Sequence, residues 1–104
     1  MEYVHADGEP DFDELCRIVG AIAAEYGIER VYLFGSRARG TAKPSSDYDL
    51  CIVPGEKTTL FDIGGFLIDC EERLDQEVDV ISENTLRPAL YNTICRDRKL
   101  LYEA

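Results

Sequence analysis

Two short apolar segments, Val31-Tyr32-Leu33-Phe34 and Leu50-Cys51-Ile52-Val53, are linked by a stretch that opens on Gly35-Ser36 and, ten residues later, closes on Asp47-Tyr48-Asp49. This arrangement limits the fold more than any other feature of the chain. Apolar runs of this length bounded by glycine and by alternating acids read as strands. The first strand therefore ends in a tight glycine turn, and the second carries carboxylates at i and i+2, which fall on one face of a strand. Leu50 and Ile52 point to the opposite face from Asp47, Asp49, Cys51 and Val53, so one face of the sheet is core and the other is free for chemistry.

The rest of the chain supplies the layers around these strands. Asp11 with Glu14 three residues on resembles a capping box, and Phe12, Leu15, Ile18, Val19, Ile22, Ala23 and Tyr26 follow at helical spacing, with Gly27 as the stop. A helical turn is expected around Ala38. The second strand runs from about Asp47 to Val53 and ends at Pro54-Gly55. Leu60, Ile63, Leu67, Cys70 and Leu74 form the apolar stripe of a second long helix, although Gly64-Gly65 in its middle costs on the order of 1 kcal/mol per glycine relative to alanine. Phe61, Phe66 and Ile68 fall off that stripe and form a second apolar surface, either sandwiched within the domain or presented to a partner. Glu77 to Ile81 is a third strand. Pro88 starts a last helix to about Asp97, and Lys99 to Tyr102 closes the chain as an extended segment. The expected fold is a mixed α/β (α+β) domain: a small mixed sheet packed on helices on one face.

Length and charge set the function classes. The 104 residues suit a single domain spanning 1–104, with residues 1–10 expected as a loose leader. Eleven basic against twenty-one acidic residues give a net charge of -10, which repels phosphate backbones and anionic membranes, so extended nucleic-acid binding is not expected. Cys16, Cys51, Cys70 and Cys95 form no C-x-x-C pair and read as core fillers in a reducing compartment. With no long apolar run and no basic leader, a cytoplasmic protein without membrane attachment is expected. His5, the only histidine, reads as surface filler.

The two acids of Asp47-Tyr48-Asp49 carry the chemistry. Carboxylates at i and i+2 on a strand stand roughly 6.6 Å apart and repel by roughly 2.5 kcal/mol at an effective dielectric of about 20. Asp79, between Val78 and Val80 on the third strand, falls on the same face and adds to that repulsion, as metal ligand or general base. Such a cluster suits hard cations, because Mg²⁺ prefers carboxylate oxygens and also takes phosphate oxygens. Gly35 lets the backbone approach a phosphate, and Ser36 can donate to its oxygens. Arg37, Arg39 and Lys43 add cations beside the site in an otherwise acidic chain, which fits an anionic substrate.

Residues 35 to 53 resemble the signature of the DNA polymerase beta-like nucleotidyltransferase superfamily, and the compact length with Gly-Ser, ten residues and Asp-x-Asp resembles its minimal nucleotidyltransferase (MNT) branch. The resemblance extends from the first helix through Val78-Asp79-Val80-Ile81 to Leu100-Leu101-Tyr102-Glu103. It implies that Asp47, Asp49 and Asp79 are the catalytic, metal-binding acids, holding two Mg²⁺ ions with Mn²⁺ as the alternative, and that Gly35, Ser36 and Arg39 bind the nucleotide. Many small members are antitoxins encoded beside a HEPN-domain ribonuclease toxin, which they inactivate by moving AMP from ATP onto a tyrosine. The resemblance therefore implies a protein adenylyltransferase with ATP and a HEPN toxin as partners in a hetero-oligomer. The alternatives are an antitoxin that acts by binding alone, and transfer to a small-molecule or RNA hydroxyl.

Overall fold

The computed structural model describes residues 8–40 and 46–104. Residues 1–7, which include His5 and most of the expected leader, and residues 41–45, which include Lys43, lie outside the described residues.

Asp11 starts the first helix, α1 (Phe12–Glu25), by accepting the Glu14 backbone N–H at 2.8 Å, which satisfies one of the amides that a helix N-terminus leaves without a partner. The chain leaves α1 through Tyr26 and Gly27, whose φ of +69° is the left-handed conformation expected just past a helix. β1 (Arg30–Phe34) follows, then a five-residue helix α2 (Gly35–Arg39), then β2 (Tyr48–Val53). α3 (Leu60–Leu74), β3 (Val78–Ser82), a 3₁₀ turn over Glu83–Thr85, α4 (Pro88–Asp97) and β4 (Lys99–Glu103) complete the order.

The four strands form one sheet in the order β3-β2-β1-β4. β1 pairs antiparallel with β2 and with β4, and β2 pairs parallel with β3, so the sheet is mixed as expected. A parallel pair needs a crossover, and α3 provides it between β2 and β3. Val31 pairs with Ile52 and Leu33 with Leu50, which puts these four buried side chains on one face. α1 and α3 cover that face with Leu15, Val19, Ile22, Phe66, Cys70 and Leu74. The opposite face is covered in part by α4, an addition to the one-sided packing that strand alternation implies. There Cys51 is buried, and the Arg98 guanidinium, which follows α4, stacks 3.7 Å from the Tyr32 ring.

The second apolar surface expected on α3 divides between its two alternatives: Phe66 is enclosed in the core with no exposed surface, whereas Phe61 is 92% exposed and Ile68 is 56% exposed. Leu60, expected on the buried stripe, lies in the first turn of α3 and is exposed. A full capping box also starts this helix: Thr59 Oγ1 accepts the Asp62 N–H at 3.2 Å while Asp62 Oδ2 accepts the Thr59 N–H at 2.8 Å. The four cysteines are free thiols. Burial pushes Cys51 up to about 11 and Cys70 up to about 12, which makes both poor nucleophiles, consistent with filling the core.

Candidate functional site

The site is assembled where β1 ends and β2 and β3 begin. At the end of β1 the chain turns through Gly35, whose φ of +74° is one that a residue with a Cβ adopts only under strain. A second constraint acts at the same residue. A Cβ there would run into the Asp49 carboxylate, standing 3.0 Å from its Cγ and 3.3 Å from its Cβ. Glycine therefore serves both the turn and the space above Asp49, and it leaves that carboxylate uncovered on this side.

The register of β2 and β3 does the rest. Asp49 is the direct partner of Asp79 across the parallel pair. Burial, then the negative charges of Asp79 and Asp47, raise the Asp49 carboxyl above its ordinary value of 3.8; a hydrogen bond with Asp79 adds to this, and the Arg39 guanidinium opposes it. The structure thus sets Asp49 and Asp79 side by side on adjacent strands and keeps Asp47, immediately before β2, close enough to act through its charge. Among the described residues no three acids, thiols or imidazoles are drawn tightly enough together to enclose a metal ion. The donor set nevertheless fits a divalent cation: hard oxygen ligands, mutual repulsion that a cation would relieve, and a glycine cradle open over one of them.

Of the cations expected beside the site, Arg37 has a different task. Its side chain is 1% exposed and makes a two-pronged ion pair with Glu9, both contacts at 3.1 Å. Its Nε donates to the Ser46 carbonyl at 2.9 Å, and its guanidinium lies 4.0 Å from the centre of the Tyr48 ring. Arg37 therefore ties the segment before α1 to the start of β2 and is not offered to an anion. Arg39, two residues on, is exposed and acts on Asp49. It is the described member of the expected cluster that faces the acids.

A cavity of about 320 Å³ adjoins Gly35 and Arg39, walled by Phe34, Ile81, Leu90 and Ile94, with Thr93 and Asp97 from α4 as its polar members. Sequence reading did not anticipate the α4 residues. Their only signal is a helix whose apolar side is short, with Leu90 and Ile94 four residues apart, and nothing in that spacing says which face of the sheet it meets.

The sequence pattern of the family described as polymerase beta, nucleotidyltransferase, matches residues 17–104. A curated protein of Methanocaldococcus jannaschii, named for an inferred protein adenylyltransferase activity, is 33% identical over 87 residues, covering 84% of this chain and 94% of that protein. A solved structure described by inference as a minimal nucleotidyltransferase is 34% identical, covers 88% of this chain and 97% of its own, and superposes with a TM-score of 0.75. The same fold, at 15% identity and a TM-score of 0.68, occurs in a structure of a tri-AMPylated Shewanella oneidensis HEPN toxin in complex with an MNT antitoxin, with coverage of 89% and 73%. The glycine turn, the paired acids and these likenesses lead to one assignment: the chain belongs to the polymerase beta nucleotidyltransferase family, in its minimal branch.

Proposed function

We propose that this nucleotidyltransferase moves AMP from ATP onto a tyrosine hydroxyl of a HEPN-domain ribonuclease toxin encoded beside it, and so acts as an antitoxin. The observation that carries the reading is the Asp49–Asp79 pairing directly beneath Gly35, because it joins an anion-approach turn to a cation-binding pair. The likeness to a named protein adenylyltransferase and the fold shared with toxin-bound antitoxins support the choice of acceptor.

In this mechanism Asp47, Asp49 and Asp79 would hold Mg²⁺, which supplies charge neutralisation to the phosphates and lowers the pKa of the attacking hydroxyl. Gly35 gives the triphosphate room above Asp49, and Ser36 donates to its oxygens. Arg39 offsets the negative charge that accumulates where ATP meets three acids. Asp79, exposed at the edge of the sheet, meets the incoming acceptor. The tyrosine oxygen bonds to the α-phosphorus as the bond to the bridging oxygen breaks. Pyrophosphate leaves, and the hydroxyl proton passes to Asp79 or to water.

The test is the intact mass of the HEPN partner after co-expression with the wild-type chain and with an Asp47→Asn, Asp49→Asn double variant. One or more added AMP groups with the wild type alone is the expected result. An unmodified partner bound equally by both forms would replace this reading with neutralisation by binding.

A further inference from the structure

The glycine pair of α3 separates into two residues with different tasks. At Gly65 an added methyl would stand 2.6 Å from the Tyr26 ring, so glycine is required where α3 meets the end of α1. At Gly64 an added methyl would meet nothing within 4 Å. Among the described residues no packing accounts for a glycine here, which weakens a helix interior relative to alanine. Helical geometry sets Gly64 on the outward face with Leu60, Phe61 and Ile68, which are 84%, 92% and 56% exposed. The result is an apolar surface with a notch at its centre. Toward the C-terminal end the same face carries Glu71, Glu72 and Asp75, of which the last two are exposed.

We propose that this face docks a protein partner that places an apolar side chain over Gly64 and lays lysine or arginine against Glu71, Glu72 and Asp75. A second copy of this chain does not fit. It would bring the same acids and a further charge of -10 against this face. The position also suits the chemistry. α3 packs on β3, the edge strand that carries Asp79, but on the face opposite the Asp79 side chain, so a partner seated on α3 leaves the acids uncovered. The proposal rests on the reading that the acceptor is a HEPN protein acting in trans, and it names the surface that protein uses.

The experiment titrates the purified HEPN protein into the wild-type chain, Phe61→Asp and Gly64→Ala by calorimetry, with intact mass recorded on the same mixtures after adding ATP and Mg²⁺. Phe61→Asp is expected to weaken the complex by about 30-fold, the loss typical of a central anchor. Gly64→Ala is expected to raise the melting temperature by roughly 4–8 °C while weakening the complex by about tenfold, a combination that general damage to the fold does not produce. Wild-type affinity in both variants overturns the docking surface even if AMP is transferred. Loss of binding in Phe61→Asp with no AMP transfer by the wild type supports the surface and overturns the transfer reading. Failure of the wild type to bind the HEPN protein removes both. A wild-type homodimer in sedimentation that Phe61→Asp dissolves, with the HEPN complex untouched, assigns the face to a second copy instead.

Discussion

Arg37 shows how residue type can mislead when burial is unknown. Three cations within seven residues of Gly-Ser read as a funnel for phosphate, yet the structure removes Arg37 from that role by burying it against Glu9, the Ser46 carbonyl and the Tyr48 ring. A planar guanidinium serves all three partners at once, which an ammonium cannot do. Arg37→Ala is therefore expected to lower unfolding stability by roughly 3 kcal/mol, because it removes the two-pronged pair with Glu9, the bonds to the Ser46 carbonyl and the cation packed on Tyr48. Denaturant unfolding reads this directly, and affinity for ATP measured on the folded variant is expected to stay within about twofold. A loss of affinity with unchanged stability would return Arg37 to the phosphate site. Asp49 was easier to read than Arg37, since its place on a strand was fixed by alternation and its partner Asp79 by a second strand of the same pattern. The space above it is not legible in the sequence: Gly35 reads there as a tight turn that lets the backbone approach a phosphate, and only the contact with the carboxylate reveals its further duty.

At the scale of elements, α3 holds the chain's clearest contrast. Tyr26 at the end of α1 donates to Asp69 of α3 at 2.6 Å, and Gly65 lets the ring lie against the helix backbone. Gly65→Ala is expected to destabilise the domain by about 1–3 kcal/mol despite the gain in helix propensity, since the ring cannot withdraw without giving up its bond to Asp69. Thermal unfolding of Gly65→Ala beside Gly64→Ala checks this, with shifts of opposite sign expected. Periodicity located α1 and α3, because each buries one regular face, and short apolar runs bounded by turn residues located β1 and β2. It failed where a side chain's neighbour depends on long-range placement: Leu60 continues the buried stripe but is exposed, and spacing alone does not say that Phe66 is enclosed while Phe61 and Ile68 are not. The position of α4 was likewise hidden, since Leu90 and Ile94 define an apolar side without saying which face of the sheet receives it.

For the molecule as a whole, an acidic chain packs three neutral groups, Tyr26, Cys51 and Cys70, in or against its core, and each resists ionisation. The bond to Asp69 pushes the Tyr26 hydroxyl up to about 12, and burial pushes Cys51 and Cys70 up to about 11 and 12. All three folded-state values lie above the ordinary 10.0 for tyrosine and 9.0 for cysteine, so the folded state binds more protons on the alkaline side. The stability they contribute is complete below about pH 9 and is lost as pH rises through 11 and 12. A melting temperature steady through neutrality and falling from about pH 9 upward is the expected profile, checked by calorimetry across that range. None of the described helices is long and apolar enough to cross a membrane. The fold places its acids where the neighbouring strands β2 and β3 begin, and their chemistry depends on the open carboxylate beneath Gly35. The most direct measurement is therefore the single-turnover rate of AMP transfer to the HEPN protein by Gly35→Ala at saturating ATP and Mg²⁺, beside the wild type and with folding verified by circular dichroism. A methyl pressed onto Asp49 displaces the acid on the order of an ångström, and a fall in rate of about 100-fold in a folded protein is expected. A rate within about threefold of wild type would mean that transfer occurs somewhere other than the Asp49–Asp79 pair.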